Sequence, residues 1–360
     1  MCSLLVSGGG GNPDRHKVST HREMPPRPLG VAHGTTWEPH DPTRNYTSHT
    51  LTHSFLEALE AAPWLQNVAA AAMRVIAPIL NRNQHGELPP DATDEPGAWN
   101  FAAIGDYGAG TPELRKIAEN LARSSAELII TSGDNVYPSG RWQDYQKNWE
   151  PSFGAVARSR DFMPSLGNHD MYKDDLRPYF AHFPHLKGQA YYTFTKNDAQ
   201  FFALDSDQDL RPGSAQLKWL EQQLANSKQP WKVVYLHYPM YGSDENAYPE
   251  IADSVQPLLE KYGVQLVVAG HEHNYLRAKP RNGVVHLLSG GGGQRVYPFM
   301  SKMSKHLARR LADHHHLEMS VGKTKMVVRA IDKNGTRIDT VEIPINAVAA
   351  ARAGVRALAA

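Results

Sequence analysis

Five times between residues 99 and 273 a short apolar run breaks off into a polar cluster built from Gly, Asp, Asn and His. Trp99–Ile104 runs into Gly105-Asp106, and Leu128–Thr131 into Gly133-Asp134. Phe162–Leu166 leads to Gly167-Asn168-His169-Asp170, Trp231–Leu236 to His237, and Val264–Ala269 to Gly270-His271-Glu272-His273. Short apolar runs bounded by glycine predict buried strands, and helical patterns between them predict an α/β layering. Thr111-Pro112-Glu113 opens one such helix, with Thr as N-cap and Pro in the first turn. In α/β sheets, functional groups gather just beyond the carboxyl ends of strands. Five clusters there, all of hard oxygen and imidazole donors, predict one convergent metal site.

Composition narrows the chemistry. One cysteine, Cys2, excludes an internal disulfide framework and a thiolate-built zinc site, while 18 His leave imidazole plentiful. Lys+Arg 38 against Asp+Glu 37 gives +1, so charge implies no nucleic-acid binding. Residues 1–50 read as an irregular or disordered arm. Residues 51–97 read as a helical segment and linker, with Trp64, Val68, Ala72, Val75 and Ile79 at helical spacing. The catalytic domain is expected over 98–345, and an Ala-rich, helical tail over 346–360. The apolar stretch Trp64–Leu80 is too short and polar to span a bilayer, and no signal peptide is evident. The chain as written is therefore expected in the cytoplasm, or secreted or periplasmic if its true start differs.

The donors are Asp106, Asp134, Tyr137, Asn168, His237, His271 and His273. They exceed the three or four protein ligands of a catalytic zinc site, so two metals fit better than one. Two cations about 3.5–4 Å apart can clamp a phosphoryl oxygen and generate hydroxide at neutral pH. His271 and His273, at i and i+2, would face one site from an extended segment.

The ordered set Asp106-x-Gly108, Gly133-Asp134-x-x-Tyr137, Gly167-Asn168-His169-Asp170, His237 and Gly270-His271-x-His273 resembles the calcineurin-like metallophosphoesterase superfamily. Tyr137, with the runs Leu236–Tyr241 and Ser289–Gly292, resembles its purple acid phosphatase branch. The resemblance covers about residues 98–343. It implies a four-layer α-β-β-α sandwich of two mixed sheets. It also implies Fe(III) on Asp106, Tyr137 and His273, and a divalent Fe, Zn or Mn on Asn168, His237 and His271, with Asp134 bridging. His169 would contact substrate phosphate or the leaving oxygen. One position departs from the pattern. Nine residues after the strand-borne His, where family members often carry another, this chain has Asn246 beside Glu245. His169, Glu245 or a metal-bound water is left as proton donor.

Other polar features read as structural. His314-His315-His316 is expected on a surface loop or helix face, Arg309-Arg310 as a solvated charge pair, and Gly290–Gly293 as a rim loop. Lys333-Asn334-Gly335 between two strand runs signals a hairpin. The expected function is metal-dependent hydrolysis of small-molecule phosphate monoesters by a hydroxide at a binuclear centre. The alternatives are a phosphodiesterase on cyclic nucleotides or other diesters using the same metals, and a non-catalytic binding scaffold. Sequence leaves the oligomeric state and the natural substrate open.

Overall fold

A computed structural model describes residues 32–33, 86–171, 175–243, 245, 247–299 and 302–345. The expected helix over 51–81, the tail over 346–360, Asn246 and nearly all of the expected arm lie outside the described residues. Within the arm, Ala32–His33 forms a two-residue strand, β1.

Two sheets carry the domain. The six-stranded sheet holds β2 (Trp99–Ile104), β3 (Leu128–Thr131), β4 (Asp161–Pro164), β12 (His315–Val321), β13 (Lys325–Asp332) and β14 (Arg337–Pro344), ordered β14-β13-β12-β2-β3-β4. The eight-stranded sheet holds β1, β5 (Tyr192–Lys196), β6 (Ala199–Ala203), β7 (Trp231–Tyr235), β8 (Leu266–Ala269), β9 (Tyr275–Ala278), β10 (Val285–Ser289) and β11 (Leu307–Leu311). Its order is β1-β5-β6-β7-β8-β10-β9-β11. β2, β3 and β4 run parallel, as do β6, β7, β8 and β10. The expected hairpin closes β13 onto β14, where Gly335 takes φ +83.

Period-two alternation sorts the strands between two apolar layers. Phe201, Ala203, Val233, Tyr235, Leu266 and Val268 face the six-stranded sheet, where Phe201 meets Phe101 edge-on at 5.1 Å. The alternate residues Phe202, Val234 and Val267 face outward with the buried side of two helices, α2 (Ala215–Asn226) and α3 (Pro249–Tyr262). On the other flank, α1 (Pro112–Arg123) and the helical segment 142–157 bury Leu114, Ile117, Leu121, Trp149 and Phe153. The layering is the four-layer sandwich expected. Thr111 caps α1 by accepting from the Leu114 N–H, as the sequence predicts. No helix of the described residues is long and apolar enough to cross a membrane.

At one end of the sandwich a buried ionic cluster ties the sheets together. Asp339 on β14 accepts two hydrogen bonds from Arg277, at 2.7 and 3.1 Å, and one from the Tyr275 hydroxyl at 2.7 Å, both residues on β9. Outside β13 and β14 lies the stretch 86–97, without regular structure. There Asp91 and Asp94 each pair with Arg329 at 2.9 Å.

The expectations for two charged or titratable runs fail. Arg309 and Arg310 are not a solvated pair: both are buried on β11, where Arg309 donates to the Ile338 carbonyl and Arg310 lies over the Phe299 ring. The His triplet is neither a surface loop nor a helix face. His315 and His316 open β12 fully buried, and His314 is mostly covered. A run of three titratable residues reads as solvated, but partners from three other segments cover it.

Burial pushes the His315 imidazole down to about 4 and that of His286 on β10, helped by nearby Arg281, down to about 3. Both therefore stay neutral in the folded protein where the unfolded chain, titrating near ~6.5, takes up protons. Between those limits the unfolded state binds more protons, so stability falls as pH drops. His315 alone accounts for a loss of about 3 kcal/mol across its window. Urea midpoints taken from pH 7 to pH 4.5 should fall steadily, and less steeply in His315→Gln. A flat profile would contradict the buried neutral assignment.

Candidate metal centre

The parallel strands of both sheets end at one edge of the sandwich, and the polar clusters meet there. Asp106 follows β2, Asp134 and Tyr137 follow β3, and Asn168 follows β4. From the other sheet, His237 follows β7, and His271 and His273 follow β8. Six of the seven predicted donor residues are buried. Asn168 is half-buried, and so is His169 beside it.

The side chains form two groups about Asp134. On one side the Tyr137 hydroxyl donates to Asp134 Oδ2 at 2.7 Å. It also lies 3.1 Å from His273 Nε2 and 3.3 Å from Asp106 Oδ1. On the other side His237 Nε2 lies 2.9 Å from Asn168 Oδ1, 3.3 Å from His271 Nδ1 and 3.4 Å from Asp134 Oδ2. Asp106, Asp134 and His237 each offer an atom within 4.8 Å of the others. All seven predicted donors are thus brought together.

Backbone carbonyls set which imidazole nitrogen faces inward. His237 Nδ1–H donates to Ser132 at 2.9 Å, and His273 Nδ1–H to Arg295 at 3.0 Å, so each presents Nε2 to the carboxylates. The same device turns His169, whose Nδ1 lies 2.7 Å from the Pro138 carbonyl while its ring packs on Tyr137 with centroids 4.5 Å apart. These three carbonyls were invisible to motif reading, because any residue type supplies one.

The backbone is forced into place as well. Asp106, Asp134 and His271 adopt left-handed conformations, with φ of 54°, 52° and 75°. Such conformations cost energy in non-glycine residues and concentrate at functional sites. The segment 270–274 bends instead of extending, so His271 and His273 converge through the turn and not through strand alternation. The left-handed backbone of Asp106 and His271 brings the His271 N–H to 2.9 Å from the Asp106 carboxylate. Gly133 has φ +88, and a Cβ there would stand 2.6 Å from His237 Nδ1.

Electrostatics point toward cations. Burial raises the cost of the Asp134 charge, yet His237, His169 and the hydrogen bonds from the His169 N–H and Tyr137 hydroxyl hold its carboxyl below the usual range. Burial pulls the His237 imidazole down, but Asp134 and Asp106 outweigh it and leave it raised. Among the described residues, no Lys or Arg forms an ion pair with either carboxylate; their ion-pair partners are His237 and His273. Buried carboxylates, imidazoles, an amide oxygen and a phenol are a donor set that fits hard or borderline cations.

The proton-donor alternatives separate. Glu245 is paired with Arg281 at 2.7 Å, and that hydrogen bond keeps its carboxyl below the ordinary range. It is held as an acceptor. His169 keeps a half-exposed ring at the edge of the cluster.

The Calcineurin-like phosphoesterase family model matches residues 100–275. Tartrate-resistant acid phosphatase type 5 from Homo sapiens is 25% identical over 313 residues, which cover 71% of this chain and 94% of that protein. A phosphoenolpyruvate phosphatase from Allium cepa is 28% identical over 60% of this chain, which spans 48% of the onion protein. Among solved structures, a purple acid phosphatase from yellow lupin (Lupinus luteus) seeds aligns with TM-score 0.62 at 18% identity, covering 73% of this chain and 56% of that one. GAP50, described as the anchor in the inner membrane complex of Plasmodium, aligns with TM-score 0.58 at 18% identity, over 69% of this chain and 89% of that one.

Replacing Gly133 by Ala should lower stability by more than about 1 kcal/mol, because Ala resists the left-handed backbone and its Cβ meets the His237 ring. An unchanged urea midpoint would show that the loop has room the geometry does not give it.

Proposed function

We propose that this chain is a member of the calcineurin-like phosphoesterase superfamily, in its purple acid phosphatase-like branch, and that its residues carry the reaction as follows. It is a phosphoric ester hydrolase that cleaves phosphate monoesters in a metal-dependent reaction. The family works with a binuclear centre. The observation that carries the assignment is the division of seven donors into two groups that share Asp134.

Asp106, Tyr137 and His273 would hold one ion; Asn168, His237 and His271 would hold the other; Asp134 would serve both. Fe(III) suits the first set, because a trivalent charge favours a deprotonated phenol. A divalent Fe, Zn or Mn suits the second. When bound, the two cations supply Lewis-acid stabilisation of the phosphoryl charge and activate water as nucleophile.

The chain's own groups orient and move protons. Asn168 presents its amide oxygen at the edge of the cluster, where a phosphate ester arrives. His169, its Nδ1 side fixed by the Pro138 carbonyl, turns Nε2 toward the phosphate or the leaving oxygen and would act there as the proton donor. Glu245, held ionised by Arg281, does not take that role. Small phosphate monoesters fit as substrates, in line with the phosphatases it resembles.

A second reading has one observation behind it: the same fold occurs in a protein described as an anchor. A scaffold needs no convergent donors, so retention of all seven favours hydrolysis.

Two measurements test the reading. Metal-analysed protein should show a kcat/KM for p-nitrophenyl phosphate well above that for bis(p-nitrophenyl) phosphate; a diester preference would move the function to phosphodiesterase. Asp134→Asn should abolish turnover and lower the content of both metals together, since one side chain serves two ions. Full activity with two metals retained would sink the site assignment.

A further inference from the structure

Beneath the donor cluster lies a buried polar network whose hydrogen bonds, among the described residues, go to neighbouring backbone and side-chain groups and not to the donor side chains. Its hub is Asn135, with no exposed surface. The Asn135 Nδ2 group donates to the Ser165 carbonyl and to Asp170 Oδ2, both at 2.8 Å. Its Oδ1 accepts from Thr131 Oγ at 2.6 Å and from the Tyr107 hydroxyl at 3.1 Å. All four hydrogen bonds that an amide side chain can make are made. The backbone N–H of Asn135 donates to Asp170 Oδ1 at 2.8 Å, and the Gly167 N–H donates to Asp170 Oδ2 at 2.8 Å. Asp170 thus accepts three N–H bonds while fully buried. Trp149 Nε1 extends the chain by donating to the Tyr107 hydroxyl at 2.9 Å.

The placement of these residues in sequence matters as much as the bonds. Tyr107 follows Asp106, Asn135 follows Asp134, and Gly167 precedes Asn168. Asn135 therefore links the three donor loops of the six-stranded sheet: Tyr107 ties the first loop to it, and Asp170 and Ser165 tie the third. Thr131 and Ser165 anchor the network to the ends of β3 and β4.

We propose that Asn135 and Asp170 are positioning residues that fix the spacing of Asp106, Asp134 and Asn168, and so set the affinity of the centre for both metals. The proposal rests on the metal assignment above. Neither Asp nor Leu fits the hub. Asp in place of Asn135 loses both donors and faces the Asp170 carboxylate. Leu leaves Ser165, Thr131, Tyr107 and Asp170 each short of a partner. At Asp170 an amide turns an N–H toward an N–H donor whichever way it flips.

The test is metal binding by the full chain, read without substrate. Metal-stripped wild type, Asn135→Ala, Asp170→Asn and Tyr107→Phe are titrated with Zn²⁺ in competition with a chelator, and the thermal midpoint of each metal-free protein is recorded. Asn135→Ala and Asp170→Asn should each bind Zn²⁺ about 10–100-fold more weakly. After metal loading they should lose kcat by a similar factor, with KM within about threefold of wild type. The double variant should be no worse than the weaker-binding single, because both act through one network. Tyr107→Phe removes one bond to the hub and keeps the ring, so it should fold and lose affinity by about two- to fivefold.

Wild-type affinity in the folded variants, with only the thermal midpoint lowered, would reduce the network to a packing role and overturn the proposal. If the two hub variants do not fold, wild-type affinity in Tyr107→Phe overturns it alone. A wild type that binds Zn²⁺ but cleaves no ester defeats the hydrolase reading and leaves the positioning result standing. A wild type that takes up no metal defeats the site assignment, and the proposal with it.

Discussion

Two carboxylates, Asp106 and Asp134, are buried at 0% and 1% exposure, and among the described residues neither has a Lys or Arg ion-pair partner. Carboxylate charge in a protein interior with only imidazole partners is expensive, and the whole edge of the sandwich is organised around that cost. Asp134 accepts the His169 N–H and the Tyr137 hydroxyl, while Asp106 accepts the His271 N–H. Those hydrogen bonds reduce the penalty without removing it. Cations at the proposed positions would complete the neutralisation, so the features that make this edge costly are the ones that would make it bind metal tightly. The left-handed backbone at Asp106, Asp134 and His271 belongs to the same balance: a strained conformation survives where strong local interactions over-determine it.

The neutral buried histidines add a second coupling. His286 and His315 make the metal-free fold acid-sensitive, whereas ligands that bind only the native state stabilise it in proportion to the logarithm of their concentration over Kd. Metal bound by the proposed ligands would therefore offset part of the acid penalty until their imidazoles take up protons. Stability at low pH and occupancy of the proposed centre would then be linked quantities, although His286 and His315 are not among the proposed ligands.

Much of the site was legible because glycine-flanked Asp, Asn and His at strand ends have few other physical reasons to recur in order. Asp106, Asp134, Tyr137, Asn168, His237, His271 and His273 all reach one place. The strands that carry them were legible for the same reason. What stayed hidden was context supplied by other segments. Arg310 reads as solvated until Phe299 is seen beneath its guanidinium, and His315 until Ser289 and Asp313 are seen at its two nitrogens. β11 and β12 were missed because Arg and His at strand positions break the apolar alternation that marks a strand. Helix α3 went unread across a Pro-bearing stretch, although Pro249 at its first turn and Gly263 just past its end are the expected punctuation. Asn135 and Asp170 were in plain view inside the motifs. Only the hydrogen-bond pattern separates them from the donors beside them.

The division of the donors between two sheets bears on how the protein comes into being. Residues up to 170 supply Asp106, Asp134, Tyr137 and Asn168, and residues after 230 supply His237, His271 and His273. Each of the two proposed ion positions draws from both halves. A chain emerging from the ribosome therefore holds an unfinished centre until residue 273 has appeared and β8 has docked beside β7. With that ligand set, metal uptake would report that the two sheets have met at this edge, and a fragment ending in the long stretch between Asn168 and His237 would carry two acidic loops with nothing to close over them.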